Sequence, residues 1–253
     1  VTTPDPAAPI VNIAAYHFAP IDDADALTAR LRERAEALGL LGTILVAAEG
    51  ANLFLAGSTA AVDDFLGDLR SDARFAAIAM KRSYSRHLPF LRLKAKRKRE
   101  TITFRQDGTG PLQERAPALA PADLARWIER GCDDAGRPLV LLDTRNREEI
   151  RHGTFTGATT LPIDRFTDFP AAVDACRDEL AGAAVVSFCT GGIRCEKAAP
   201  WMRANGFDNV WQLDGGILGY FEQVGGYGFD GRCFVFDQRV SLDPSLSPFS
   251  DTP

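Results

Sequence analysis

Val185-Val186-Ser187-Phe188-Cys189-Thr190-Gly191-Gly192-Ile193-Arg194-Cys195-Glu196-Lys197 is the stretch that decides the fold. An apolar run ends on a cysteine. A short glycine-containing loop follows, and Lys197 to Asn205 then reads as a helix. This order places a thiol at the carboxyl end of a buried strand, with the next backbone N–H groups free to curl around it and face a helix N-terminus. Such a cradle stabilises negative charge, lowers a thiol pKa and holds an anion carried on sulfur. Cys189 is therefore the candidate nucleophile, with Thr190, Gly191, Gly192, Ile193, Arg194 and Cys195 forming the loop around it. Arg194 adds a cation that favours thiolate or persulfide.

Phosphatase loops of this kind place five residues between cysteine and arginine. Here only Thr190 to Ile193 intervene, so the tighter loop suits sulfur better than a phosphate group. Cys195 has two readings, a thiol that resolves oxidised Cys189 through a disulfide or a side chain that packs at the helix start.

Outward from this loop, apolar strands alternate with helices. Pro121 to Gly131 reads as a helix. Pro138 to Asp143 is a buried strand ending on an aspartate, and Arg147 to Ile150 begins a short helix. Ala158 to Pro162 is a short strand and Phe169 to Leu180 a helix. Ala183 to Phe188 delivers Cys189, and Asn209 to Leu213 is one more strand. Continuous apolar strands alternating with helices predict an α/β domain with a central parallel sheet, with reactive groups at the carboxyl strand ends. Asp143 lies at such an end. With Arg145 it either organises the loop or shapes the pocket mouth.

The first part reads differently. Strands at Ile10–Phe18, Gly42–Ala48, Leu53–Gly57 and Ala79–Ser83 alternate with helices capped near Asp22 or Asp23 and near Ser58 or Thr59. Glu49-Gly50-Ala51-Asn52 reads as a turn. The order βαββαβ predicts an α+β ferredoxin-like sandwich. A further strand is expected at Thr101–Phe104, a turn at Asp107–Pro111 and an interdomain linker at Arg115–Pro121. The expected division is 1–114, 115–230 and a C-terminal extension at 231–253.

Bulk properties narrow the function. The chain has 253 residues, 45% of them hydrophobic, and a net charge of −5. No apolar run approaches the roughly 20 residues that span a bilayer, and Val1–Pro6 lacks the pattern of a signal peptide and reads as a disordered lead-in. Five cysteines, an odd number without a C-x-x-C pair, fit a reduced cytoplasmic setting rather than a disulfide scaffold. Three scattered histidines argue against a local metal site. No metal, flavin or nucleotide cofactor is expected, since Walker A and G-x-G-x-x-G patterns are absent. The net acidity argues against generic nucleic-acid binding, but Lys81 to Arg99 carries basic residues with no acidic interruption. Arg92, Lys94, Lys96, Arg97, Lys98 and Arg99 form its densest part. They read either as a solvated basic edge or as a footprint for phosphate groups.

The second part resembles a rhodanese domain, through Leu142-Asp143-Thr144-Arg145-Asn146-Arg147-Glu148-Glu149, Gly153-Thr154-Phe155-Thr156-Gly157-Ala158, the cysteine loop and Leu213-Asp214-Gly215-Gly216-Ile217. The whole chain resembles a narrower group, the bacterial tRNA uridine hydroxylase family, which sets a rhodanese domain behind an acylphosphatase-like domain. That likeness is carried by Gly42 to Gly50, by Pro89-Phe90 with the basic run after it, by Cys189 to Lys197 and by Gly231-Arg232-Cys233-Phe234-Val235-Phe236-Asp237. It implies oxygen-dependent hydroxylation of the wobble uridine of tRNA to 5-hydroxyuridine, with O2 as co-substrate, the anticodon stem-loop as partner, and Glu49 raised from a turn residue to a contact. It leaves the electron donor, the oligomeric state and the roles of Cys195 and Cys233 unassigned. Sulfur transfer from thiosulfate or a persulfide to a small thiol is the alternative, and it needs only the second domain.

Overall fold

The computed structural model describes residues 10–106, 108 and 110–251. The lead-in expected at Val1–Pro6 lies outside them, as do Asp107 and Thr109 of the expected turn. The described chain forms two units, one of residues 10–103, 236–240 and 247–251, the other of 104–235 and 241–246. The division falls after Thr103 rather than at 114/115, and the C-terminal extension contributes segments to both units.

In the first unit, β1 (Ile10–Phe18), α1 (Ala24–Ala37), β2 (Leu41–Ala47), β3 (Gly50–Ser58), α2 (Thr59–Ser71), β4 (Met80–Ser85) and β5 (Leu93–Arg97) build a sheet of order β4-β1-β3-β2-β5. The first four strands are antiparallel neighbours, as the ferredoxin-like reading expects. Ile13, Leu27, Ile44, Leu53 and Phe65 lie in the core. Ser58 caps α2 by accepting from the Ala61 N–H, satisfying a donor that the first helical turn leaves orphaned.

Two local expectations are corrected here. The β2–β3 connection is only Ala48-Glu49, and Gly50-Ala51-Asn52 already belongs to β3. Gly50, at φ +148°, makes this close approach, because a Cβ there would lie 2.1 Å from the His17 carbonyl oxygen. The strand expected at Thr101–Phe104 does not form, and the added strand is instead the basic segment β5, parallel to β2 with Lys94 opposite Thr43. Only Ala95 of β5 is buried. Leu93 packs partly buried beside it, so two apolar side chains alternate with Lys94 and Lys96, a pattern too short within the basic run to mark the strand that backbone pairing to β2 supplies.

The second unit contains β6 (Ala118–Leu119), α3 (Pro121–Arg130), β7 (Leu139–Asp143), α4 (Arg147–Ile150), β8 (Gly153–Phe155), β9 (Thr159–Thr160), α5 (Phe169–Ala175), α6 (Arg177–Leu180), β10 (Ala184–Phe188), α7 (Cys195–Ala204), β11 (Val210–Leu213), α8 (Gly216–Gln223), β12 (Phe229–Gly231), β13 (Cys233–Phe234) and β14 (Ser241–Leu242). Its main sheet has the order β6-β11-β10-β7-β9, every pair parallel. All five residues of the central β10 are buried, the signature of a strand covered on both faces. Part of the expected linker is thus strand β6, and the single helix expected at Phe169–Leu180 is broken at Cys176. Helix α7 starts two residues earlier than the sequence suggests, at Cys195.

Candidate active site

Strand β10 ends at Phe188 and hands the chain to Cys189, whose side chain is fully buried. The backbone beyond it is fixed from two sides. The Phe188 carbonyl accepts from the Thr144 N–H (3.0 Å) and Oγ1 (2.9 Å) at the end of β7. The carbonyls of Cys189 and Thr190 accept from the Ile217 and Leu218 N–H groups of α8, at 2.9 and 3.0 Å. Gly216, at φ +61°, lets α8 come this close. A Cβ there would lie 2.5 Å from the Cys189 carbonyl oxygen and 2.6 Å from the Gly192 nitrogen.

Held in this way, the loop turns donors on the sulfur. The Gly192 N–H donates to Cys189 Sγ at 3.1 Å, the Arg194 backbone N–H also reaches it, and the Cys195 thiol lies within hydrogen-bonding reach. Burial by itself would raise the Cys189 pKa. The hydrogen bond with Cys195, the Arg194 charge and the two backbone donors outweigh it and bring the thiol down to about 6. Cys195 moves the opposite way, raised by burial and by its neighbour, so it stays a neutral S–H donor. The pair therefore shares one negative charge, carried by Cys189. Thr144 Oγ1 lies 3.7 Å from Cys195 Sγ and orients it.

Arg194 is itself held by Glu149. Its two terminal nitrogens donate to the two carboxylate oxygens at 2.6 Å each, a bidentate pair buried on both sides. Burial would push the Glu149 carboxyl up, but the Arg194 charge and hydrogen bonds hold it below its usual value. Sequence reading missed Glu149 as a site residue. Asn146 and Glu149 have the spacing of a helix cap, and the Asn146 N–H does donate to Glu149 Oε2 at 3.1 Å. That local role hid the longer-range one.

Asp143 and Arg145 are both fully buried. Asp143 accepts from the Arg145 N–H (3.0 Å), from its guanidinium (2.6–3.2 Å) and from Thr154 Oγ1 (2.7 Å), while Arg145 donates to the Gly153 carbonyl at 2.7 Å. They brace the end of β7 against β8. Cys233 is buried beside this brace, near Arg145 and Thr190, and burial pushes its thiol up to about 12. It is a neutral packing thiol in this state. Trp201 and Trp211 are half-buried and packed edge-on against Phe104 and Trp127 respectively.

The remaining sequence-predicted residues lie in the other unit. Glu49 accepts from the Thr101 N–H (2.8 Å) and Oγ1 (2.7 Å), tying the segment after β5 to the β2–β3 turn. Arg92, Lys94, Lys96, Arg97, Lys98 and Arg99 are all exposed along or beside β5, and Arg97 comes within 3.8 Å of Asp25.

A thiolate at the carboxyl end of a central parallel strand, inside a ring of backbone donors, is the arrangement of a rhodanese-type site. The match to family models agrees: residues 120–223 match the rhodanese-like domain and residues 10–101 the UPF0176 acylphosphatase like domain. The rhodanese-like domain of an Anabaena sp protein covers 46% of this chain and 79% of its own, at 23% identity and a TM-score of 0.36. Full-length likeness is narrower. The chain is 60% identical over 242 residues to the tRNA uridine(34) hydroxylase of Xanthomonas axonopodis pv. citri, covering 96% of this chain and 98% of that one. It is 57% identical to the protein of that name from Xylella fastidiosa, covering 96% and 94%. The chain belongs to the tRNA uridine(34) hydroxylase family.

Proposed function

We propose that this protein hydroxylates uridine 34 of tRNA to 5-hydroxyuridine, using Cys189 as nucleophile and O2 as co-substrate. The observation that carries the chemistry is the buried Cys189 sulfur, with the Gly192 N–H on it at 3.1 Å and Arg194 and Cys195 beside it, a setting that favours the thiolate. The family likeness over 96% of the chain carries the substrate. Uridine is electrophilic at C6. Thiolate addition there makes C5 an enolate-like nucleophile able to attack an oxygen donor, and loss of the C5 proton with expulsion of the thiolate restores the double bond. O2 is that oxygen donor: one of its atoms stays on C5, and an external two-electron reductant, with two protons, takes the other to water.

Unstacked anticodon-loop bases suit this chemistry, because they enter a pocket without opening a duplex. In this reading Arg92, Lys94, Lys96, Arg97, Lys98 and Arg99 hold phosphate groups of the anticodon stem-loop, and binding weakens as salt rises. Such an enzyme works where tRNA is, in the cytoplasm. Among the described residues no helix is long and apolar enough to cross a membrane.

Nucleoside mass spectrometry of tRNA from cells lacking the gene provides the test. Complementation with wild type restores 5-hydroxyuridine derivatives, and Cys189→Ser does not. Reversing Lys94, Lys96 and Lys98 to Glu lowers tRNA hydroxylation but spares thiosulfate turnover. An unchanged nucleoside profile in the deletion strain leaves sulfur transfer as the activity of the thiolate.

A further inference from the structure

Exposed apolar side chains gather on the first unit where two segments of the C-terminal extension join it. Leu91 is 85% exposed, Phe236 60% and Phe249 70%. The backbone beneath them is pinned. Pro89 accepts from the Gln238 N–H at 3.1 Å. The Asp251 carboxylate accepts from the Arg86 and His87 N–H groups at 2.8–3.2 Å, and the Arg239 carbonyl accepts from the Ser250 N–H at 3.3 Å. Arg239 is locked in turn to Ser83 Oγ and to Asp237, each at 2.6 Å. Leu91, Phe236 and Phe249 each lie two residues from one of these fixed points, at Pro89, Gln238 and Asp251.

Pinned backbone that still presents two phenyl rings and a leucine to water marks a binding surface. Its charge identifies the partner. Leu91 runs directly into Arg92 and β5, where Lys94 and Lys96 are exposed. Of the two nearby carboxylates, Asp237 is ion-paired with the Arg239 guanidinium and Asp251 is turned onto backbone donors. Exposed rings beside a row of cations match unpaired nucleotides, whose bases stack on rings while their phosphates meet cations. A protein partner of ordinary charge has no need of that rim.

We propose that Leu91, Phe236 and Phe249 form a stacking platform for unpaired bases of the tRNA substrate, with Arg92 and the β5 lysines holding the adjoining phosphates. The proposal rests on the tRNA reading above and adds a second contact region, separate from the residues that hold the reacting sulfur.

The test uses the full chain and two RNAs of equal length, a stem-loop with an unpaired loop and a fully paired duplex. Phe236→Ala and Phe249→Ala each weaken stem-loop binding about 5- to 150-fold, the range that stacking of one base gives. Duplex binding is unchanged, and so is the salt slope, since no counterion is released by stacking. Phe249→Trp keeps stem-loop affinity, and its fluorescence is quenched by the stem-loop but not by the duplex. Unaltered stem-loop affinity in both alanine variants, or equal losses for both RNAs, overturns the platform. So does a change in sedimentation without a change in RNA affinity, which would make the patch a face between copies of this chain. Hydroxylation by wild type is scored separately, so failure of the platform and failure of the tRNA reading give different results.

Discussion

Arg194 and Glu149, 45 residues apart, meet through two parallel hydrogen bonds of 2.6 Å with both side chains buried. The pair ties the loop around Cys189 to helix α4 and fixes the guanidinium whose charge acts on the sulfur. Removing one partner leaves a buried charge uncompensated, which costs about 3–5 kcal/mol. Glu149→Ala should lose about that much in urea unfolding. Replacing both residues with Met should cost less stability than Glu149→Ala while abolishing activity. If the double variant is the less stable one, the pair contributes more than charge compensation.

Cys195 sets the charge on Cys189 by donating its S–H. Cys195→Ala should therefore raise the Cys189 pKa from about 6 toward the ordinary thiol value. Thiolate ultraviolet absorbance against pH reports this directly, with Cys189→Ser as the blank. A midpoint unmoved by Cys195→Ala would mean that Arg194 and the backbone donors suffice.

The same shift makes stability depend on pH. Cys189 has a native pKa of about 6 against an ordinary 9.0, so between these values the unfolded chain holds a proton that the native protein lacks. Its contribution is complete above about pH 9 and is lost as pH falls through about 6. Cys195 and Cys233 are raised instead, so their contribution is present below pH 9 and is lost above it. Wild type should gain stability over Cys189→Ser as pH rises from 6 to 9. Parallel stability curves for the two proteins in that window would remove the shift.

Gly216 is the backbone contact that closes the site. Its φ of +61° and the 2.5 Å approach to the Cys189 carbonyl leave no room for a side chain. Gly216→Ala should displace the loop, raise the Cys189 pKa and reduce hydroxylation by at least tenfold, a loss of about 1.4 kcal/mol in transition-state stabilisation. Retained activity with an unshifted thiol would show that α8 can retreat without moving the loop.

Much of this was legible in the chain. An apolar run ending on Cys189, followed by two glycines and an arginine, fixes a buried strand and the donor loop after it, because these depend on neighbours within a few residues. The βαββαβ order of the first unit follows from local periodicity in the same way. Strand β5 was read only as a basic run: Leu93 and Ala95 do alternate with Lys94 and Lys96, but the pattern is short and dense in charge, and pairing with β2 is what makes it a strand.

The amino-acid sequence by itself determined which thiol ends the buried central strand and which residues surround it locally. Tertiary structure decided how that thiol is charged. Glu149 has the spacing of a helix cap until folding brings it to Arg194, Gly216 takes its role only when α8 lies against Cys189, and Cys195, open between a resolving and a packing thiol, becomes a hydrogen-bond donor when the two sulfurs meet. Each of these roles depends on a distance between segments remote in sequence or on the turn of a loop, and burial strengthens the Glu149–Arg194 and Cys189–Cys195 interactions by excluding water from them.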